Sequence, residues 1–314
     1  MDNSVICVVG PTACGKTKMG VALAQRFGGE VVSVDSMQIY RGMTIGTAAP
    51  TAEETEGIPH HMVAVADPAE SWSVARFTEQ ADRCIQDILC RGRRPVLVGG
   101  TGLYLDSILS GRTFAAGHNG GEVRRALQTE LAQGGIEPLY RQLQAIDPTA
   151  AARLHLSDEK RILRALEVFR ETGETITAHD ARTRLRPPKY RAYTIGLTFR
   201  DRADLYERID CRVDTMVAQG LLQEVEALLK SGLPETATAL QAIGYKQFLS
   251  VYRGDTPARD AVAEVKLRSR QYAKRQLTWL RRKEDIHWIL WEKTPDFPAG
   301  LQNATEYLLA QGLG

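Results

Sequence analysis

Residues 10–17 read Gly10, Pro11, Thr12, Ala13, Cys14, Gly15, Lys16 and Thr17, the G-x-x-x-x-G-K-[ST] spacing that wraps backbone N–H groups around a chain of phosphates. Glycines let the amides converge on anionic oxygens, and the positive end of the following helix faces the same point. Lys16 adds a charge and Thr17 offers a hydroxyl to Mg2+. The motif calls for a phosphate chain without naming the compound; read alone, it favours an ATP-dependent kinase or ATPase. The second candidate for chemistry is Asp35. It follows the short apolar run 31–34, and ligands of open parallel sheets collect at the carboxyl ends of strands, so Asp35 is expected in the crevice that holds Lys16. A carboxylate there either accepts a proton from a nucleophile or helps to hold Mg2+, and the residue alone leaves both open.

The elements that must carry these residues alternate in type. Residues 5–9 are apolar and read as a strand, 17–27 show a helical repeat of Met19, Leu23 and Phe27, and Gly28 with Gly29 end that helix. Residues 73–91 form an amphipathic helix with Val74, Phe77, Ala81, Ile85, Ile88 and Leu89 on its buried side, and 95–98 read as the next strand. Strands separated by helices imply parallel pairing with right-handed crossovers, the doubly wound α/β class. After Leu109 the pattern changes. Gly111, Gly117, Gly120 and Gly121 mark a loop, and 123–173 read as successive helices. We expect an inserted all-helical domain over 114–191, returning through a basic, proline-containing linker at 182–191, with the catalytic core formed by 1–113 and 192–314. The sheet resumes at 193–199, a long helix begins near Arg202 with a break at Gly220, 287–290 form an edge strand, and the tail from Glu292 shows no legible chemistry.

Composition sets outer limits. A chain of 314 residues, 43% hydrophobic and 25% charged, describes a globular protein and excludes a disordered or fibrous one. A net charge of +2 means that any nucleic-acid partner must be met by local basic surface. The five cysteines (Cys7, Cys14, Cys84, Cys90, Cys211) are scattered without a C-x-x-C pair, which points to a reducing compartment and away from zinc. No apolar run reaches membrane-spanning length, and Met1 leads almost directly into the first strand; a cytoplasmic location with no membrane partner is expected. His60 and His61 are adjacent, so they cannot pair on one helix face as metal ligands, and are expected as loop residues near the entrance.

Six further motifs appear in order: SVDSMQIYR at 33–41, IGTAAP at 45–50, GGTGLY at 99–104, RALE at 164–167, QAIGY at 241–245 and YAKRQLTW at 272–279. Together with the phosphate loop, this set closely resembles the tRNA dimethylallyltransferase family from the first strand to about residue 282. Two departures are small: Cys14 stands where the family usually has serine, and Ala49 where it usually has lysine. The resemblance implies transfer of a dimethylallyl group from its diphosphate to N6 of the adenosine 3′-adjacent to the anticodon, in tRNAs that read codons beginning with U. It implies Mg2+ as cofactor, with the tRNA anticodon stem-loop and dimethylallyl diphosphate as partners; we expect the protein to act as a monomer. The phosphate loop then holds a leaving group. Thr12 and Thr17 contact the diphosphate or its metal, Arg212 clamps it from the far side, and Asp35 is the general base. Arg208 lies four residues from Arg212 on one helix and is a possible second contact. For both arginines the alternative is a solvated, ion-paired helix face.

For the RNA, the resemblance and the charge pattern nominate Asp35, Ser36, Met37 and Gln38, with Ser36 and Gln38 able to bond the Watson–Crick edge of a captured base. Thr101, or else a capping hydroxyl at a simple turn, lies beside the crevice. The segment Gln241, Ala242, Ile243, Gly244, Tyr245 and Lys246 is a flanking-nucleotide contact with Tyr245 as its aromatic, or else a buried turn. In the helical insertion the nominees are Arg124, Lys160, Arg161, Ile162, Leu163 and Arg164, with Ile162, Ala165, Leu166 and Phe169 as the buried stripe of their helix. Residues 266–283 carry eight cations without an acid among those positions until the segment ends, Lys274 and Arg275 included, interleaved with Tyr272 and Trp279. Such one-signed charge is costly unless an anion meets it.

Overall fold

A computed structural model of the chain describes residues 3–111, 121–184 and 187–313. Six strands, β1 (Ser4–Val9), β2 (Gly29–Val34), β3 (His60–His61), β4 (Arg94–Gly99), β5 (Arg191–Phe199) and β6 (Ile286–Trp291), form one sheet in the order β3-β2-β4-β1-β5-β6. Every pairing in it is parallel. The central strand explains why β1 reads as an unbroken apolar run. Val5, Cys7 and Val9 pack into one core with Phe77, Ile85 and Ile88 of the helix Val74–Cys90, while Ile6 and Val8 pack into a second with Met19 and Leu23 of the helix Lys16–Arg26. Side chains alternate between faces and helices cover both, so no position of β1 can be polar without cost. This is the P-loop-like α/β fold expected from the sequence.

The chain divides into two compact units, Met1–Leu109 with Lys189–Gly314, and Ser110–Pro188. The smaller unit is helical, and Leu127, Leu139, Leu143, Ile162, Leu163 and Leu166 share its core. Gly117, Gly120 and the expected boundary at 113/114 lie outside the described residues. The expected linker is shorter than its composition suggested. Arg182 still belongs to the helix Ile176–Arg184, and Lys189 and Tyr190 are tied to the larger unit, where Lys189 N–H bonds Leu109 O at 2.8 Å and the Tyr190 hydroxyl bonds Asp82.

The tail after Glu292 packs onto the sheet: its helix Phe297–Ala310 buries Ala304 and Leu308 in the second core. One expectation needs correction. His60 and His61 form the edge strand β3, and His61 Nε2 lies 2.7 Å from Glu30 Oε2. No cluster of metal-ligating side chains occurs among the described residues, and no helix among them is long and apolar enough to cross a membrane.

Candidate active site

The phosphate loop is held from three sides. A Cβ at Gly10 would stand 2.3 Å from the Leu197 carbonyl oxygen, so only glycine lets the loop seat against β5. From behind, the Trp291 indole N–H donates to Cys14 O at 3.0 Å. From above, Gln276 accepts the Thr12 N–H at 3.0 Å and donates to Gly100 O at 3.0 Å, bridging the loop to the turn after β4. Ala13 sits at φ 66°, a left-handed conformation that a non-glycine residue holds only when its surroundings enforce it. Lys16 Nζ donates to Pro11 O at 2.7 Å.

A cleft of about 890 Å3 opens in front of the loop. Thr12, Ala13, Gly15, Lys16 and Thr17 line it, whereas Gly10, Pro11 and Cys14 lie behind. Asp35 lines it from the end of β2, and Arg208 and Arg212 from the helix Arg202–Ala218. The carboxylate, the phosphate-loop lysine and the arginine pair therefore share one chamber. Arg212 Nη1 lies 3.4 Å from Thr12 Oγ1, and Arg208 Nε lies 3.4 Å from Ala13 O. Burial, aided by the Arg212 charge, pushes the Lys16 ammonium below its ordinary value. Burial likewise lowers Arg212, opposed chiefly by Asp35. Two cations held partly out of water with one carboxylate favour an incoming polyanion. Burial, then the Asp35 charge, raises the Tyr272 phenol, which stays a neutral donor at the cleft wall.

Asp35 is fixed by its own turn. Its Oδ1 accepts from Met37 N at 2.8 Å and Gln38 N at 3.3 Å. Gln38 also lines the cleft, but its side chain is committed: it accepts from Ser33 Oγ at 2.8 Å and donates to Thr47 O at 3.3 Å and Ala48 O at 3.1 Å. In this structure the Gln38 amide thus ties down Thr47 and Ala48 rather than presenting itself to a base. Ser36, Met37 and Thr101 are not part of the cleft lining, although Gly99 and Gly100 are.

Several RNA nominees occupy other surroundings. Tyr245 is fully buried and bonds Glu224, so it cannot stack on a nucleotide; Ala242 and Gly244 are buried with it, Ile243 is half-buried, and Gln241 and Lys246 are exposed. Ile162 and Leu163 are core residues of the smaller unit, because its helix Glu159–Thr172 is enclosed over a wider arc than the expected stripe, while Phe169 is only half-buried. Lys160 and Arg161 are exposed, and Arg124 and Arg164 both pair with Glu167, at 3.6 and 2.9 Å. In the larger unit, much of the basic run is neutralised: Lys266 by Asp214, Arg270 by Asp210 and Lys283 by Asp106, all from other elements, and Arg268 by Glu264 one turn earlier on its own helix. Lys274, Arg275 and Arg282 instead line a separate groove on the helix Ala258–Leu280, together with Trp279.

Tyr272, expected as an aromatic of the basic run, lines the cleft; Gln276, Glu224, Lys293 and Thr294 were not singled out from the sequence as site residues, yet Gln276, Lys293 and Thr294 line the cleft and Glu224 anchors its rim. Gln276 lies 264 positions from the residue it holds, and no local pattern announces such a partner.

A parallel sheet with a phosphate loop at the end of its central strand, a carboxylate at the end of β2 and two arginines facing the loop define a P-loop-like α/β protein. The profile of the family described as IPP transferase matches residues 38–283, and that of isopentenyl transferase matches residues 3–64. The chain belongs to the IPP transferase family. It is 42% identical over 313 residues to the tRNA dimethylallyltransferase of Acetivibrio thermocellus, covering 100% of this chain and 99% of that protein. It is similar to the crystal structure of the tRNA isopentenylpyrophosphate transferase of Bacillus halodurans, with a TM-score of 0.73, 40% identity, and 99% and 97% of the two chains covered. A eukaryotic dimethylallyltransferase acting on tRNA superimposes with a TM-score of 0.82 at 30% identity, covering 98% of this chain and 78% of that one.

Proposed function

We propose that the protein transfers a dimethylallyl group from dimethylallyl diphosphate to N6 of the adenosine 3′-adjacent to the anticodon, in tRNAs that read codons beginning with U. The observation that carries this reading is the placement of Asp35, Lys16 and Arg212 around one cleft. An adenine amine is a weak nucleophile because its lone pair is shared with the ring. As the bond from N6 to the allylic carbon forms and the carbon–oxygen bond to diphosphate breaks, Asp35 accepts the N6 proton. The charge that develops on the departing oxygens falls among the loop amides, Lys16 and Arg212. The Thr12 amide is engaged by Gln276, so Thr12 contributes its hydroxyl, which lies beside Arg212.

The Thr17 hydroxyl, at the cleft beside the phosphate loop, suits Mg2+, which takes few protein ligands and keeps water and phosphate oxygens as the rest. When bound, it would add positive charge against the leaving diphosphate. The anticodon-loop base must leave its stack to reach Asp35, at a cost of a few kcal/mol that contacts to its neighbours offset. Lys274, Arg275 and Arg282 with Trp279, Gln241 and Lys246 in the larger unit, and Lys160 and Arg161 in the helical insertion, are the side chains we assign to that RNA. Incubation with Mg2+, labelled dimethylallyl diphosphate and unmodified tRNA, followed by digestion to nucleosides, tests the reading. Label in adenosine is expected; ATP turnover without label would overturn it.

A further inference from the structure

Glu224 lies in the first turn of the helix Leu221–Lys230, away from the phosphate loop in sequence and outside the cleft lining. Its carboxylate nevertheless collects five donors. Oε2 accepts from Thr44 N at 2.8 Å, Thr44 Oγ1 at 3.0 Å and Ile45 N at 2.9 Å, while Oε1 accepts from Gly46 N at 3.0 Å and from the Tyr245 hydroxyl. The segment so held continues into Thr47 and Ala48, whose carbonyls hold the Gln38 side chain, and the Gln38 N–H bonds Asp35 Oδ1. An independent packing observation agrees: a Cβ at Gly46 would stand 2.4 Å from the Tyr245 ring, so the loop is pressed against that ring as well as bonded beside it.

Building on the function proposed above, we infer that Glu224 and Tyr245 are positioning residues for the reaction, a clamp that sets Asp35 through residues 44–48 and Gln38. Every partner of the carboxylate is a donor, so this point requires an acceptor-only group. A glutamine of the same shape would turn an NH2 toward donors and release part of the loop. The QAIGY segment then serves the site from within, through its buried tyrosine. Burial and the adjacent Glu224 charge raise that phenol, which keeps it a donor.

The test compares Glu224→Gln and Tyr245→Phe with the unaltered protein by steady-state kinetics, pyrophosphate binding, thermal melting and amide hydrogen exchange. For Glu224→Gln we expect kcat to fall roughly 10- to 100-fold, as a misplaced reacting group does, with KM for dimethylallyl diphosphate and pyrophosphate affinity unchanged. For Tyr245→Phe, the loss of one hydrogen bond gives a fall of about 2- to 10-fold. Faster exchange is expected at residues 44–46 and, with it, at 37 and 38. Unchanged kcat in Glu224→Gln overturns the inference, as does a fall in kcat matched by lost pyrophosphate affinity and a lower Tm in both variants. If the unaltered protein fails to alkylate tRNA, the functional reading falls, while coupled or uncoupled exchange at the two segments still decides the clamp.

Discussion

Gln276 accepts the Thr12 amide hydrogen at 3.0 Å, so a helix near the far end of the chain holds the apex of the phosphate loop. Replacement by leucine leaves the Thr12 N–H and the Gly100 carbonyl without their partner, at a cost of about 1–3 kcal/mol for buried groups left unpaired. We expect Gln276→Leu to melt several degrees lower and to show a raised KM for the prenyl diphosphate.

Asp35 Oδ1 holds the turn by accepting from Met37 N and Gln38 N, and the general-base role proposed for the carboxylate can be tested apart from that task. Asp35→Asn keeps an acceptor for the turn and removes the base. Activity should fall on the order of 100- to 10,000-fold, with tRNA affinity, measured by filter binding or polarisation, largely kept. Equal loss of binding would reject the base assignment.

Arg212 faces Thr12 across the loop mouth, and a charged hydrogen bond is worth about 1.5–3 kcal/mol. Arg212→Ala should raise KM for the diphosphate by roughly 10- to 100-fold. Arg212→Lys should recover only part of this, because an ammonium is a single point charge without the planar fork. An unchanged KM would remove Arg212 from the clamp.

The split within the basic run is open to a salt titration. Lys274 and Arg275 line a groove, whereas Lys266 and Arg270 are held by Asp214 and Asp210. Alanine at either groove position should reduce the slope of log affinity for tRNA against log salt by about 0.7–0.9. Alanine at 266 or 270 should leave that slope unchanged.

Glu30 gives a pH prediction. Hydrogen bonds from Arg91, opposed by burial and reinforced by His61, hold its carboxyl at about 2 against an ordinary 4.5. A depressed folded value means that its stabilisation is full above the unfolded value and is lost as pH falls through 4.5 toward 2. Glu30→Gln should therefore melt lower than the unaltered protein at pH 7, with the gap closing below pH 4.5. A gap independent of pH would show that the ion pair contributes nothing specific.

Local patterns in the sequence announced most of the fold. Short apolar runs marked β1, β2 and β4, because helices cover both faces of the sheet there, and a 3.6-residue repeat marked the helix Val74–Cys90, whose one buried face must be apolar. The cleft was legible where it is made of consecutive residues, as in the phosphate loop and Asp35. Gln276 and Glu224 escaped because polar residues on helices look alike in sequence whether they face water or a backbone 264 or 180 positions away. Tyr245 misled for the same reason: the letters show an aromatic residue but not that Gly46 has left room for it to be enclosed. The basic run looked unopposed because Asp210, Asp214 and Asp106 arrive from other elements.

The Trp291 indole that holds Cys14 O stands 277 residues downstream of it. On the ribosome, at about 5–20 residues per second, the loop is made roughly a quarter-minute or more before its backing exists. β1 lacks its neighbour β5 until residues 191–199 have been made. A growing chain thus carries the whole binding motif in its letters before the residues that brace it exist.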